Sequence, residues 1–427
     1  MTGVRAGIVV TGTEVLSGLV QDANGPWLSA RLRELGVDVA HVMVVGDRAA
    51  DLRAALSFLV AEGMDLVVTS GGLGPTADDL TAEVVASFSG RAMAVDPGLE
   101  ERIWGIVSGM RDRWREVSEE GLRAGARKQA LVPSGAAVLE PVGTAPGLVV
   151  PGRPVVLVLP GPPGELQPMW ESALSVAAVA DVLARGGSLE TRIIRMTGLP
   201  ESELARTLRG LYVDPSLEVT TCLRRGELEV ATTFPSPAGS VAYLDFEAAL
   251  LDRHGDRVFS RDGSTVDDIV AALLAGPPVR TVAVAESCTG GLMSARLTDR
   301  AGSSAYMLGG VVVYSNEAKV EHAGVSLDSI ERYGAVSPEV ARELAAGAAE
   351  RFAASLGVGI TGIAGPGGGT PSKPVGTVCV CVASDSGVLE RTIHIPGDRA
   401  TVRDRTTTAA LHMLRRTLQS GGAAAAA

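Results

Sequence analysis

The sequence predicts an α/β protein with a three-layer α/β domain at residues 1–172, a small α+β module at 173–262 and a second α/β domain at 263–420. The 427 residues are too many for one hydrophobic core. Apolar residues make up 46% and aromatic residues only 4%, and with 52 glycines this mixture suits α/β layers joined by tight turns. Strand and helix patterns also alternate at both ends of the chain, but not in its middle.

The first domain opens with a βαβαβ pattern. Uncharged apolar runs predict buried strands, and leucines at helical spacing predict the helices between them. The predicted elements are strands at 6–12, 37–45, the start of 64–81 and 154–161, and helices at 26–36, 51–63 and 162–170. This order predicts a mostly parallel sheet covered on both faces.

The middle module changes pattern at about residue 190, where a strand, a helix, a hairpin and a second helix follow one another. Its size resembles that of an RNA-binding KH fold, but the module lacks the GxxG backbone clamp of that fold. We therefore expect a small α+β (KH-like) spacer or dimer module without chemistry of its own.

The last domain returns to alternating strands and helices. Its predicted elements are helices at 264–276, 338–357 and about 398–418, and strands at 281–285, 306–314 and 358–362. The closing low-complexity residues, 421–427, are expected to be disordered.

Charge and cysteine content narrow the class of protein. A net charge of −11 gives no basic footprint for nucleic acid. The four cysteines are not spaced as a disulfide framework and no long apolar run is present, so we expect a cytoplasmic protein with no membrane contact. Cys379 and Cys381 alternate along one predicted strand, which favours buried apolar residues over a metal site.

Four turns rich in glycine or proline predict the first site. They lie at 11–18, 70–81, 143–147 and 160–166. The first two follow strands, and the carboxyl ends of parallel strands form the edge at which such sheets bind ligands. Glycines in the second turn free backbone N–H groups to face an anion, and the helix start behind them adds its dipole.

Adjacent carboxylates follow the second of these turns. Asp78 and Asp79 supply the oxygen ligands with which a divalent cation is held against a phosphate. We therefore expect a metal of unknown identity at these two residues. Contacts to the bound anion are expected from Gly12, Gly71, Gly72 and Thr76.

The stretch AESCTGGLMSARL, at 285–297, predicts a second site. Ser287 follows a strand, and Gly290 and Gly291 open a helix, so that free backbone N–H groups beside the hydroxyl suit a tetrahedral oxyanion. Cys288 is a rival nucleophile, because a helix N-terminus lowers the pKa of a thiol. The sequence leaves this choice open.

A serine nucleophile needs a base, and no histidine has an obvious partner. Lys319, in VVVYSNEAK just beyond Tyr314, is the candidate, provided that burial or a neighbouring cation lowers its pKa. Only three of the 38 basic residues are lysine, namely Lys128, Lys319 and Lys373. Arginine cannot be deprotonated in proteins, which is a reason to keep lysine here. The alternative is a lysine on the surface of a helix.

Phosphate ligands are expected from the glycine-rich segment 359–377 and from the start of the last helix. Gly365 lies where the backbone can wrap a phosphate, and Thr361 is expected to donate its hydroxyl. Arg399 and Arg403 suit a phosphate or carboxylate clamp. Together these residues describe a small phosphorylated substrate beside a serine.

The first domain resembles the molybdopterin-binding-like domain of the CinA (competence/damage-inducible) proteins. Its motifs TSGGLGPTADDLT, GTAPG and PGPPGEL occur in the family's order, over about residues 4–170. The resemblance implies a metal-dependent pyrophosphatase for ADP-ribose or related NAD-like dinucleotides, with Glu14, Asp78 and Asp79 at the family's acidic positions. Thr13 departs from the Asp or Asn of many relatives.

Residues 264–418 resemble the CinA C-terminal domain, the family of nicotinamide-nucleotide amidases, through ESCTGG, VVVYSNEAK and GITGIAGPGG. The resemblance implies deamidation of nicotinamide mononucleotide without a cofactor. It places the nucleophile at Ser287, the base at Lys319 and an assisting hydroxyl at Tyr314. It also implies substrate contacts from Thr361 and from Arg399 or, equally, Arg403.

These observations predict a bifunctional enzyme of pyridine-nucleotide salvage, acting on nicotinamide mononucleotide and ADP-ribose as a homodimer. Two alternatives come from other classes of protein. A non-catalytic nucleotide- or pterin-binding scaffold would keep the glycine loops. A competence-linked DNA-associated protein would need a basic face, and the net charge of −11 argues against one.

Overall fold

The computed structural model describes residues 3–109 and 118–424, which divide into two compact units. One unit comprises Met1–Thr191 with Thr233–Tyr243, and the other comprises Arg192–Thr232 with Leu244–Ala427. Each unit therefore contains part of the predicted middle module.

The first unit is an α/β layer structure, as predicted. Its strands are β1 (Arg5–Thr11), β2 (Asp38–Val45), β3 (Leu66–Ser70), β4 (Met93–Val95), β5 (Leu131–Pro133), β6 (Ala137–Leu139), β7 (Gly147–Val150) and β8 (Val155–Leu159). Its helices are α1 (Thr13–Leu16), α2 (Asn24–Glu34), α3 (Ala49–Ala61), α4 (Thr81–Phe88), α5 (Pro97–Gly109), α6 (Glu119–Gln129), α7 (Pro163–Leu174) and α8 (Ala177–Leu183).

Six of these strands form one sheet in the order β2-β1-β3-β8-β7-β6, and β4 pairs with β5 separately. The strands β2, β1, β3 and β8 are parallel to one another, and β7 and β6 are antiparallel to their neighbours. Every residue of β3 and β8 is buried, and separate apolar clusters contain alternate residues of these strands. Alternate strand residues point to opposite faces, so the predicted sheet covered on both faces is confirmed.

The glycine loop after β3 depends on close backbone approach. Gly71 has φ +104°, and a Cβ there would lie 2.5 Å from the Thr11 carbonyl oxygen. Only glycine tolerates both conditions. The loop thereby reaches the end of β1 before α4 begins at Thr81, so Asp78 and Asp79 precede that helix and do not lie in its first turn.

The middle segment forms a four-stranded sheet. Its elements are β9 (Leu189–Thr197), α9 (Glu201–Arg209), β10 (Glu218–Arg224), β11 (Glu227–Pro235), α10 (Ser240–His254) and β12 (Val258–Ser260). The strand order is β10-β11-β9-β12, with β12 antiparallel to β9. This βαββαβ order is that of the split-βαβ, or ferredoxin-like, arrangement.

The remaining elements form the second α/β layer structure. Its strands are β13 (Val282–Glu286), β14 (Met307–Val312), β15 (Leu356–Gly362), β16 (Thr377–Ser384) and β17 (Gly387–His394). Its helices are α11 (Val266–Ala275), α12 (Leu292–Thr298), α13 (Asn316–Ala323), α14 (Leu327–Tyr333), α15 (Pro338–Phe352) and α16 (Arg399–Ala424). Helix α16 extends beyond its expected end near residue 418, and residues 425–427 of the predicted tail lie outside the described residues.

Its five strands form a sheet in the order β14-β13-β15-β16-β17, with β14, β13 and β15 parallel and the last two antiparallel. Glu286, the last residue of β13, pairs with Val312 on one side and Ile360 on the other. The carboxyl ends of three parallel strands therefore meet at one edge. Cys379 and Cys381 are buried against α15, as expected for apolar residues.

Among the described helices, none combines the length and the apolar character that crossing a membrane requires.

Candidate functional site

The first unit contains a cavity of about 320 Å³ at the edge predicted from the sequence. All four glycine- or proline-rich turns contribute to it. The lining residues are Thr11, Gly12, Glu14, Asp47, Gly71, Gly72, Leu73, Gly74, Thr76, Asp78, Asp79, Gln129, Thr144, Ala145, Pro160, Gly161, Pro162 and Glu165. The structure thus brings together every residue predicted for this site.

Thr76 organises the two adjacent carboxylates. Its hydroxyl donates to Asp78 and lies 2.6 Å from Asp79 Oδ2, and its backbone N–H donates to the same oxygen at 2.9 Å. The hydrogen bond from Thr76 holds the pKa of the Asp78 carboxyl below its usual range. Lys128 donates its ammonium to the Thr76 carbonyl and fixes the turn from the other side. Both carboxylates are held in one place beside the cavity.

The donor set fits a hard divalent cation that a ligand helps to coordinate. Within the described ranges, no group of three or more His, Cys, Asp or Glu side chains is placed to hold a metal by itself. Magnesium is usually bound by one or two carboxylates, with water and substrate phosphates completing the octahedron. Asp78 and Asp79 match that pattern, and a closed protein cage does not.

Two cavity residues escaped the sequence analysis. Asp47 accepts a hydrogen bond from the Thr13 N–H at 2.8 Å and returns one from its own N–H to the Thr13 hydroxyl at 3.2 Å. Gln129 donates to the Leu73 carbonyl at 3.0 Å and to the Thr144 hydroxyl at 3.3 Å, which joins two of the loops. Neither residue lies in a glycine-rich motif. The position of Asp47 two residues after the end of β2, a parallel strand, was the one signal available.

In the second unit, the edge of the sheet holds the predicted nucleophile and base. The Ser287 N–H donates to the Ile360 carbonyl at 2.9 Å, and the Val313 N–H donates to the Glu286 carbonyl at 2.8 Å. Lys319 Nζ lies 3.1 Å from the Val313 carbonyl oxygen. Ser287 and Lys319 therefore lie at the same edge, attached to neighbouring strands.

Lys319 is buried in a cradle of carbonyl groups. It is 2% exposed, and Nζ donates to the carbonyls of Val313, Tyr314 and Ser315 at 3.1, 3.2 and 3.4 Å. Burial lowers its pKa, and the negative charge of the nearby Glu317 opposes this shift only in part. A neutral amine keeps only two N–H donors and gains a lone pair. If the hydrogen bond to the Ser315 carbonyl, the longest of the three, is lost, the lone pair can accept a proton.

The other two lysines show that scarcity alone did not identify a base. Lys128 donates to the Thr76 carbonyl, and Lys373 donates to the carbonyls of Tyr333 and Val336, both at 2.7 Å. All three lysines therefore bind main-chain carbonyls, which suits a compact ammonium group better than a planar guanidinium. What distinguishes Lys319 is its burial and its place at the sheet edge.

The rival nucleophile is a core residue. Cys288 is 3% exposed and belongs to the main apolar cluster of this unit. Burial raises the pKa of its thiol to about 12. A thiol that stays protonated is a poor nucleophile. Ser287, by contrast, makes no side-chain hydrogen bond to another described residue, so its hydroxyl is available.

Glu286, in the second unit, is a third residue that the sequence analysis missed. Its fully buried carboxylate accepts hydrogen bonds from the N–H groups of Gly291, Met293 and Ser294 at 3.1, 3.0 and 2.9 Å, and from the Ser294 hydroxyl at 2.7 Å. These amides at the start of α12 were expected to be free for an oxyanion, and that expectation was wrong. The acid directly before Ser287 was the signal for this cap.

Two other amides of the turn remain available. Within residues 3–109 and 118–424, the N–H groups of Cys288 and Thr289 have no acceptor on another residue. Gly290 and Gly291 follow with φ +60° and +96°, a turn that residues with a Cβ rarely adopt. The candidate donors for an oxyanion are therefore the N–H groups of the two residues after Ser287, and not those at the start of α12.

Replacing Glu286 by glutamine is expected to lower the free energy of unfolding by about 1–3 kcal/mol. The glutamine amide keeps one oxygen acceptor but places its NH₂ group against backbone N–H donors. Some of these buried N–H groups therefore lose their acceptor. Urea denaturation measures the change. Glu321→Gln, at an exposed position of α13, is the control. A stability equal to that of the control would contradict the capping role.

The predicted substrate contacts also meet at this edge. Arg399 donates to the Gly365 carbonyl at 2.9 Å and to the Tyr314 hydroxyl at 2.6 Å. Arg403 donates to the Thr289 carbonyl through Nη2 at 2.9 Å and through Nε at 3.3 Å. Both guanidinium groups thus hold parts of the site in place, Arg399 on the glycine-rich loop and Arg403 on the nucleophile turn.

Thr361 does not have the hydroxyl geometry that was expected. Its side chain is 1% exposed and donates to the Ala335 carbonyl at 2.7 Å. The hydroxyl proton is already used within the protein, so it is not directed to a phosphate in this structure. Thr361 instead ties the end of β15 to the segment before α15.

Two family models match the two ends of the chain. A family model for the CinA C-terminal domain matches residues 265–418, and one described as "Probable molybdopterin binding domain" matches residues 7–179. The crystal structure of the competence/damage inducible protein CihA from Agrobacterium tumefaciens is 38% identical where it aligns. That alignment covers 38% of this chain and 99% of the other, with a TM-score of 0.35.

Two relatives align over nearly the whole length. A CinA-like protein of Mycobacterium sp. strain MCS is 58% identical over 422 residues, which cover 98% of this chain and 99% of the relative. A CinA-like protein of Mycobacterium tuberculosis is 54% identical over 422 residues, which cover 97% of each chain. The chain therefore belongs to the family of CinA-like proteins, with a molybdopterin-binding-like domain and a CinA C-terminal domain.

Proposed function

We propose that the C-terminal domain hydrolyses the carboxamide of nicotinamide mononucleotide to nicotinate mononucleotide and ammonia. One observation carries this proposal: Ser287 and the buried Lys319 amine lie at one sheet edge, next to the N–H groups of Cys288 and Thr289, which have no acceptor on another described residue. A nucleophile, a base and oxyanion donors are the parts that acyl transfer requires.

The reaction begins with proton transfer. Neutral Lys319 takes the hydroxyl proton of Ser287 as Oγ attacks the carboxamide carbon. The N–H groups of Cys288 and Thr289 then stabilise the oxyanion, and one such donor contributes roughly 3 kcal/mol in the transition state. The C–N bond breaks, and the leaving nitrogen takes the proton from Lys319 and departs as ammonia. Water then cleaves the ester by the same path and restores the Ser287 hydroxyl.

The basic side chains supply the contacts for the nucleotide phosphate. Arg399 and Arg403 come from the first turns of α16 and approach the Ser287 turn, where their charges act on Cys288. Guanidinium groups bind phosphate through paired N–H donors. Tyr314 is 58% exposed and its hydroxyl accepts a hydrogen bond from Arg399, which supports a role for that hydroxyl beside the proposed phosphate contacts.

The proposal is tested by incubating the full chain with nicotinamide mononucleotide and measuring ammonia and nicotinate mononucleotide. Equal amounts of the two products are expected, without added metal. Binding of the nucleotide with no release of ammonia would instead favour the non-catalytic scaffold.

We also propose that the N-terminal domain splits ADP-ribose or a related NAD-like dinucleotide into two monophosphates. The cavity of about 320 Å³ beside Asp78 and Asp79 supports this second activity. A divalent cation bound there would neutralise charge on the pyrophosphate. The glycine loops would present backbone N–H groups to the phosphates, and Thr76 would hold the two carboxylates in place.

Replacing Asp78 by alanine is expected to reduce metal-dependent AMP release from ADP-ribose by roughly 100-fold or more, because a carboxylate that holds the cation is lost. AMP is measured by chromatography across a titration of Mg²⁺ or Mn²⁺. Asp181→Ala, at an exposed position of α8, is the control. An unchanged rate in the Asp78 variant would make the domain a binding module.

The DNA-associated alternative has its own readout. A protein that binds the phosphate backbone of DNA retards a duplex in a gel mobility-shift assay, and the shift depends on the salt concentration. With a net charge of −11, we expect no shift at physiological salt.

A further inference from the structure

We infer that Glu165 is the general base for the N-terminal pyrophosphatase and activates the water that attacks phosphorus. The inference rests on the proposed function of that domain. Glu165 lies in the first turn of α7, where the loop 160–166 contributes to the cavity.

Glu165 differs from the other acids of the cavity in having no protein donor while being half-buried. Asp47 accepts from Thr13, and Asp78 and Asp79 accept from Thr76. Glu14 is exposed. In the part of the chain that the structure describes, no hydrogen bond or ion pair joins the Glu165 carboxylate to another residue, and its backbone N–H donates to the Pro162 carbonyl at 2.9 Å. Its carboxylate is therefore the partly desolvated acceptor of the cavity that is left for water or ligand.

Burial also changes the proton affinity of Glu165 in the direction that a general base requires. It raises the pKa of this carboxyl above its usual range. A general base is most effective when its pKa approaches the working pH, because it is then both ionised and able to hold a proton. The other titratable groups that line the cavity are Glu14, Asp47, Asp78 and Asp79.

The Glu165 carboxylate lies close against Gly143 of a neighbouring loop. A Cβ on Gly143 would lie 2.3 Å from Glu165 Oε1 and 2.4 Å from its Cδ. Gly143 thus leaves the space that the carboxylate occupies. Alanine at this position would displace the end of a flexible side chain, while the charge of Glu165 would be kept.

The chemical step balances with water alone. Glu165 takes a proton from water while the water oxygen forms a bond to one phosphorus atom. The bond from that phosphorus to the bridging oxygen breaks, and the bridging oxygen keeps the electron pair on the departing monophosphate. The protonated carboxyl then releases its proton to solvent. ADP-ribose and water thereby give AMP and ribose 5-phosphate.

The test compares Glu165→Gln, Gly143→Ala and the control Glu171→Gln, at an exposed position of α7, in the full chain with ADP-ribose and Mg²⁺. For Glu165→Gln we expect kcat to fall by about 10²–10⁴-fold, while KM and the half-saturating Mg²⁺ concentration stay within about threefold. The rise of the wild-type rate with pH through the raised pKa should disappear. For Gly143→Ala we expect a loss of about 10- to 100-fold from the displaced carboxylate.

Three results would overturn the inference while the pyrophosphatase itself stands. They are an unchanged kcat in Glu165→Gln, a loss that excess Mg²⁺ restores, which would make Glu165 a metal ligand, and an unchanged kcat in Gly143→Ala. If the wild-type chain releases no AMP with any divalent metal, the proposed pyrophosphatase fails first and the inference with it. Circular dichroism and thermal unfolding check that each variant is folded.

Discussion

Replacing Lys319 by arginine is expected to slow ammonia release from nicotinamide mononucleotide by about 10²–10⁴-fold, the usual contribution of a general base. Arginine keeps the positive charge, but it cannot give up a proton in a protein. The variant therefore separates proton transfer from charge, and a control must account for the larger guanidinium among the carbonyls. Ammonia release at saturating substrate measures the effect.

The pH dependence gives an independent readout of the same residue. Burial lowers the pKa of Lys319, so its neutral form appears at a lower pH than for an exposed lysine. The reactive species is the deprotonated amine. The wild-type rate should therefore rise as the pH increases through that lowered pKa, and the residual rate of Lys319→Arg should lack this limb.

The control is Lys373→Arg, because Lys373 also donates to main-chain carbonyls but is not buried. It should keep most of the wild-type rate. Near-normal ammonia release in Lys319→Arg would rule out the lysine as base. A comparable loss in both variants would assign the effect to loop structure rather than to proton transfer.

Replacing Ser287 by alanine is expected to have the largest effect on the amidase, a loss on the order of 10⁴-fold or more, as for nucleophiles that act as a unit with a base. The change removes only Oγ, which makes no side-chain hydrogen bond to another described residue. Stability should therefore change little. Single-turnover measurements should show no acyl-enzyme in the variant.

Cys288→Ala distinguishes the two candidate nucleophiles. It keeps the backbone N–H of residue 288 and removes a thiol whose pKa burial raises to about 12. We expect ammonia release within a few-fold of wild type, with some loss of stability from the small cavity in the core. A loss of activity in Cys288→Ala together with activity in Ser287→Ala would exchange their roles.

The order of the elements and the place of both sites were predictable from the sequence. The three parallel strands β13, β14 and β15 appear in the sequence as apolar runs, and residues with hydroxyl groups and glycines follow them. Because parallel strands end at one edge, the expectation that Ser287 and Lys319 meet there required no coordinates. The same reasoning brought the loops 11–18 and 70–81 of the first domain to one edge, and the structure adds the other two loops to the cavity there. The homodimer stays a prediction.

The hydrogen-bond partners of those residues were not predictable. Glu286 takes the amides of α12 that were expected to hold an oxyanion, and Thr361 uses its proton on Ala335. Gln129 reaches the first cavity from the end of α6. Each of these contacts, except that of Glu286, joins segments far apart in the chain.

The sequence by itself determined which segments are buried strands and helices and which loops meet at a sheet edge, because apolar periodicity and strand direction are properties of short segments. Only the tertiary structure decided which donors are already paired, which of Ser287 and Cys288 has an available side chain, and where Lys319 is desolvated. Hydrogen bonding and burial depend on the final few ångströms between distant segments, and no local pattern encodes that distance.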